Sequence, residues 1–246
     1  MGSDSASIFN HPLLWRGNQV SHHIPTLHTG HACLDRILPG NGWPRGAVTE
    51  LVHDTTACGE LSLLLPALAG LSHEGRRVIM VDPPWIPYPS SLAERGLALE
   101  KLLLIRTRNK KESLWACEQV VRGMPGGAML AWPDEISFSE LRRLQMAAKN
   151  SHQSVFLFRH KAAKNVPSPA ELRLQLEAFD GDLKVSVLKC RGQRSSLGTR
   201  IHRSQLFQTP ATILPASNDH DKTCSPRMRP RVSGKPAQTA ETQGRY

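Results

Sequence analysis

One junction constrains this chain more than any other stretch. The apolar run Ala47-Val-Thr-Glu-Leu-Val52 leads into a small-residue loop, His53–Cys58, then Gly59-Glu60 and a leucine-rich segment ending at Leu71. A short apolar run, a small loop and a longer apolar segment together read as a buried strand feeding the N-terminus of a helix. In nucleotide-binding proteins such a junction wraps phosphates in glycine-supplied backbone N–H groups. A Gly-Lys-Ser/Thr sequence there adds the ammonium and the metal-binding hydroxyl. In this chain the loop has a single glycine, Glu60 stands in the lysine's place and Leu61 in that of the hydroxyl residue. A carboxylate at that point repels phosphate. Gly59 and Glu60 therefore mark a degenerate loop, P-loop-type in frame without its phosphate chemistry, and no cofactor is expected.

Around this junction, strand and helix patterns alternate. Leu61, Leu64, Leu65, Leu68 and Leu71 recur at helical spacing and predict one buried face, with Leu63 on the far side and a kink near Pro66. Strands are predicted at Arg77–Asp82, Leu102–Ile105, Ala128–Trp132 and Ser154–Phe158. Between them fall helices at Ser90–Arg95, from Asn109 to Val121 and at Ser137–Lys149, while Thr29 reads as the N-cap of a helix through Ile37. Four prolines in the seven residues Pro83–Pro89 require an extended loop. The alternation implies a mostly parallel sheet covered on both faces. Leu172, Leu174 and Leu176 then alternate with polar residues, and Asp180-Gly181 separates them from Leu183–Lys189, the pattern of a β-hairpin. The expected organisation is an N-terminal segment over 1–28, an α/β core over 29–192 and a basic, largely disordered tail over 193–246. A small apolar group (Ile201, Leu206, Phe207, Ile213, Leu214) punctuates that tail.

Charge is unevenly placed. Of the formal +10, ten Lys/Arg against three Asp/Glu from Arg191 onward supply +7. Such a balance favours polyanionic partners, nucleic acid first. The five cysteines are scattered singly, with no Cys-x-x-Cys pair, so neither a zinc site nor a disulfide framework is indicated. The five histidines between His11 and His31 lack helical pairing and acidic company, and no metal is expected. No apolar stretch is long enough to span a bilayer and the start carries no signal-peptide pattern, so a cytoplasmic protein without a membrane partner is expected.

Thr29-Gly30, Leu34-Asp35, Gly46 and Thr49-Glu50-Leu51 resemble the opening of the RecA core. Adding His11-Pro12…Leu14-Trp15-Arg16-Gly17 and Gly59-Glu60-Leu61…Leu63-Leu64-Leu65-Pro66-Ala67-Leu68, the stretch from residue 9 to residue 195 resembles the ImuA family. These are RecA/SulA-like accessory proteins of bacterial error-prone translesion synthesis. The resemblance implies a RecA-like core ending in a C-terminal β-hairpin, and as partners the polymerase-like ImuB and an error-prone C-family DNA polymerase. RecA and single-stranded DNA are further partners on the same ground, and a SulA-like cell-division inhibitor is the alternative. ATP hydrolysis is not expected. Where RecA-type ATPases carry Asp-x-Glu the chain reads Asp82-Pro83-Pro84, and the strand ending Ala131-Trp132-Pro133-Asp134 lacks its terminal aspartate. Two basic clusters follow strand ends, Arg106–Lys111 and Arg159–Lys164. The DNA-binding loops of RecA-like proteins favour the second, which makes Arg159, Lys161 and Lys164 the DNA-binding candidates. Lys189 and Arg191 join them at the end of the hairpin.

Overall fold

In the computed structural model the described residues are 25–54, 59–190 and 197–207. Most of the expected N-terminal segment, the loop centre with Cys58, Arg191 and the tail beyond Phe207 lie outside them. A short ribbon comes first, β1 (Thr26–Leu27) antiparallel to β2 (Trp43–Pro44). Between them α1 spans only Ala32–Asp35, with His31 and not Thr29 at its N-cap position. Thr29 closes the preceding turn instead. Its Oγ1 accepts from the His31 N–H at 3.0 Å, and its own N–H donates to Asp35 Oδ1 at 3.0 Å. Gly30 takes φ +82°, and a Cβ there would overlap the ring of Pro66. The Thr-Gly…Leu-Asp spacing is thus a local lock that only glycine fits.

The large sheet begins with β3 (Ala47–His53), buried at every position. Then come α2 (Glu60–His73), β4 (Val78–Val81), α3 (Pro89–Glu94), β5 (Leu102–Ile105), α4 (Lys110–Gly123), β6 (Ala128–Ala131), α5 (Phe138–Ser151) and β7 (Ser154–His160). The chain continues through β8 (Leu172–Phe179), β9 (Asp182–Cys190), β10 (Gly198–Ile201) and α6 (Arg203–Leu206). Eight strands line up in the order β10-β9-β8-β3-β7-β6-β4-β5. From β8 to β5 every neighbouring pair is parallel, whereas β9 runs antiparallel to β8 and β10 antiparallel to β9. The architecture is mixed α/β with a mostly parallel eight-stranded sheet, compatible with a RecA-like core. Asp180 and Gly181, at φ +50° and +79°, carry the chain from β8 into β9.

Caps fix the helices on the solvent-facing layers. The Asn109 side chain accepts from the Glu112 N–H, and Ser137 with Glu140 forms a reciprocal capping box. The apolar core lies on both faces of the sheet. Trp43, Leu64, Leu68 and Phe156 belong to one layer, and Ile79, Val121, Met129 and Leu144 to the other. The predicted faces of α2 need correction. Leu63 is as fully buried as Leu64 and Leu68, while Leu61 is only half-buried. Leu63 shares its core with Leu34, Leu38 and Trp43 from the segment before β3, and Gly30 abuts Pro66. The helix also continues through Pro66 without ending there. The sheet extends beyond the core end expected at residue 192, because β10 pairs with β9 and Ile201 and Leu206 are buried. Among the described residues no helix is long and apolar enough to cross a membrane.

Candidate functional site

Open α/β sheets place ligands at the carboxyl ends of their parallel strands. Most of the residues singled out above stand at that edge. At the β3–α2 junction Gly59 is left-handed (φ +100°) and Glu60 opens the helix with only 7% of its surface exposed. The C-terminal segment folds over this point, and a Cβ on Gly59 would stand 3.5 Å from Leu206 Cδ1. Arg95 ties the segment down. Its Nη1 donates to Ser62 Oγ at 2.9 Å and to the Leu206 carbonyl at 3.0 Å, and its guanidinium lies 4.7 Å over the Phe207 ring. The hollow that remains, about 510 Å³, is lined by Glu60 and by Arg203, Leu206 and Phe207 of that segment. An anionic group at a helix N-terminus is favoured by the helix dipole. Here the chain supplies that anion itself.

The end of β7 has a different character from the one its basic run suggests. Arg159 turns inward, with Nη1 2.8 Å from Oε1 of Glu50, a carboxylate with no exposed surface. Arg173 of β8 approaches the same carboxylate from the other side, with Nε 2.6 Å from Oε2. The rest of that guanidinium donates to the carbonyls of Ala163 (2.6 Å), Val166 (3.1 Å) and Lys164 (3.4 Å), stapling the turn Lys161–Asn165 to the sheet. Burial of a charge is tolerated only with such pairing. The exposed cations at this end are therefore Lys161 and Lys164, not Arg159. Lys161 lies 2.6 Å from Asp54, at the end of β3. Lys189 is half-buried on β9, its Nζ donating to the Ser168 carbonyl at 2.6 Å.

At the ends of β4 and β6 the two aspartates take separate places. Asp82, left-handed at φ +49°, accepts from the Thr107 N–H and hydroxyl at 2.7 Å each. Burial by itself would raise its carboxyl. Hydrogen bonds from Ser113 and Thr107, with Arg106 nearby, outweigh that and hold it below the usual carboxylate range. Asp134 is exposed, and Trp132 before it stacks on Phe158 at 4.4 Å. Burial pushes the Cys117 thiol up to about 12, so it is not a nucleophile near neutrality. Among the described residues no cluster of His, Cys, Asp and Glu has metal-binding geometry.

Sequence reasoning did not connect Glu50 with Arg159 and Arg173. The available signal was a glutamate inside an apolar strand, which demands a cation partner. It also passed over Trp85, Ile86 and Tyr88, more than 70% exposed beside four prolines. No family model matches this chain. A 100-residue stretch is 30% identical to the protein RecA of Chlorobaculum parvum, covering 41% of this chain and 28% of that one. Another match, 26% over 106 residues, is to the protein RecA of Picosynechococcus. The cell division inhibitor SulA of Yersinia enterocolitica is 28% identical over 114 residues, which cover 46% of this chain and 68% of the inhibitor. The chain spans less than a third of the length of the RecA proteins it matches.

Proposed function

We propose that this chain is a non-catalytic, RecA-like accessory protein of SOS-type error-prone translesion DNA synthesis, acting as an adaptor between polymerase components. The observation that carries this reading is the start of α2, where a buried Glu60 holds the lysine's position and Leu206 lies against Gly59. A phosphate brought to that helix end meets a carboxylate and the chain's own C-terminal segment. Similarity to RecA and SulA supports a DNA-damage setting. The ImuA-like residues point to ImuB, an error-prone C-family polymerase and RecA with single-stranded DNA as the partners.

A ligand raises the melting temperature only of the state it binds. Mg-ATP is therefore expected to leave the melting temperature unchanged, and no ATP turnover is expected with or without single-stranded DNA. A thermal shift that changes on Glu60→Ala counts against the reading. Affinity purification from DNA-damaged cells is expected to recover the polymerase components.

A second reading is favoured by one observation. The matched stretch covers 68% of the SulA chain but only 28% of a RecA. On that reading the protein inhibits cell division by binding the tubulin-like division protein. Recovery of that protein in place of the polymerases decides for it.

A further inference from the structure

Trp85, Ile86 and Tyr88 are 72%, 74% and 72% exposed in the loop after β4. That loop, Pro83–Pro89, carries no charge. Its prolines fix the backbone in advance, so presenting these rings to a ligand costs little further entropy. The neighbouring loop after β5 and the start of α4 present Arg106, Arg108, Lys110 and Lys111, all exposed. The two loops are joined at their bases. The Asp82 N–H donates to the Ile105 carbonyl at 2.9 Å, and the Asp82 carboxylate holds Thr107, the residue between the two arginines. Asp82 is therefore bonded inward, and Glu112, the acid within the band, accepts from the Arg108 N–H and from the Asn109 side chain at 3.0 Å each. Among the described residues Arg106, Arg108 and Lys111 form no ion pair, while Lys110 reaches only the exposed Glu135 at 3.5 Å. Farther along α4, Trp115 is 65% exposed and shares a hollow of about 420 Å³ with Lys110, Lys111 and Arg143 and with two acids, Glu118 and Glu140.

We propose that this band is a single-stranded DNA platform, with Trp85, Tyr88 and Trp115 stacking bases and Arg106, Arg108 and Lys111 contacting phosphates. Exposed rings beside unpaired cations match a ligand with flat apolar faces on a polyanionic backbone. Duplex DNA hides its base faces, so the rings specify a single strand. The assignment supplies the lesion-bypass reading with a DNA contact and rests on that reading for its cellular setting, not for the binding itself.

The test is titration of the full chain with fluorescein-labelled oligo-dT at stepped salt concentrations. Trp85→Ala with Tyr88→Ala is expected to weaken binding about 5- to 100-fold per lost stack while leaving the log–log salt slope unchanged. Arg106→Ala, Arg108→Ala and Lys111→Ala together are expected to flatten that slope by about 0.7 per lost phosphate contact. Trp85→Phe with Tyr88→Phe keeps both rings and should restore affinity, which separates stacking from misfolding. Lys161→Ala with Lys164→Ala should bind like the parent. The proposal is overturned by absent oligo-dT binding, by unchanged binding in the first two variants, or by loss in the Lys161/Lys164 variant alone. Displacement of the oligonucleotide by polyglutamate as readily as by unlabelled oligo-dT overturns it too, and assigns the band to an acidic protein. Polymerase capture is scored in a separate experiment, so failure of lesion bypass and failure of DNA binding are told apart.

Discussion

Glu50 carries its charge into the middle of the sheet because two arginines meet it there, Arg159 from β7 and Arg173 from β8. Removing one member of such a group strands the others, at a cost of about 3–5 kcal/mol. Glu50→Ala is accordingly expected to lower stability by about that amount in urea unfolding, and a loss under about 1 kcal/mol would show that the charges are better solvated than their burial indicates. Replacing the whole triad with apolar residues should recover only part of the loss, since Arg173 also serves three carbonyls of the turn before β8. His31 adds a pH dependence. Burial lowers its pKa from the ordinary 6.5, outweighing the opposing effects of the Leu63 backbone and Asp35. The unfolded chain therefore takes up the proton first as pH falls. This contribution to stability is complete above about pH 6.5 and is lost on acidification below it. A melting series from about pH 8 to about pH 5 should fall less steeply for His31→Gln than for the parent.

At the scale of elements, local signals were the readable ones. Asn109, Ser137 and Asp180-Gly181 marked the starts of α4 and α5 and the corner before β9, because each acts on backbone within a few residues of itself. What the sequence hid was contact between distant segments. The leucine spacing of α2 suggested one buried face, yet Leu63 is buried as well, in the same core as Leu34, Leu38 and Trp43. Leu63→Ala, Leu64→Ala and Leu68→Ala should each cost about 2–5 kcal/mol, with Leu61→Ala clearly below them. A small effect at Leu63 in denaturant melts would argue against that burial. The basic run after β7 was likewise visible as charge, but the inward turn of Arg159 depends on a partner 109 residues away. The bonded loop bases behind Trp85 and Arg106 depend on strand pairing in the same way.

For the whole molecule, the α/β class and most strands followed from period and punctuation, while the end of the folded unit did not. Basic composition after residue 192 read as tail, although Ile201 and Leu206 interrupt it and are buried. All described residues fall within one compact unit. Ending the chain after Ala211 is expected to leave the melting temperature of that unit in place. Ending it after Gly192 removes β10 and α6 and should cost at least the equivalent of one buried leucine, about 2–5 kcal/mol. Equal melting temperatures for the two truncations would mean that the segment over Gly59 contributes nothing to stability.

The sheet order also sets a timetable for a chain emerging from the ribosome. β3 is the first strand of the large sheet to be synthesised, yet its two neighbours, β7 and β8, are made only after the three strands on its far side. Until Arg173 is out of the exit tunnel, the centre of the sheet cannot close and Glu50 has at most one of its two cations. Contacts of such long range form late and together. Ribosome-arrested chains that stop before β8 should be cut readily by protease, and resistance should arise in one step once β8 has cleared the tunnel.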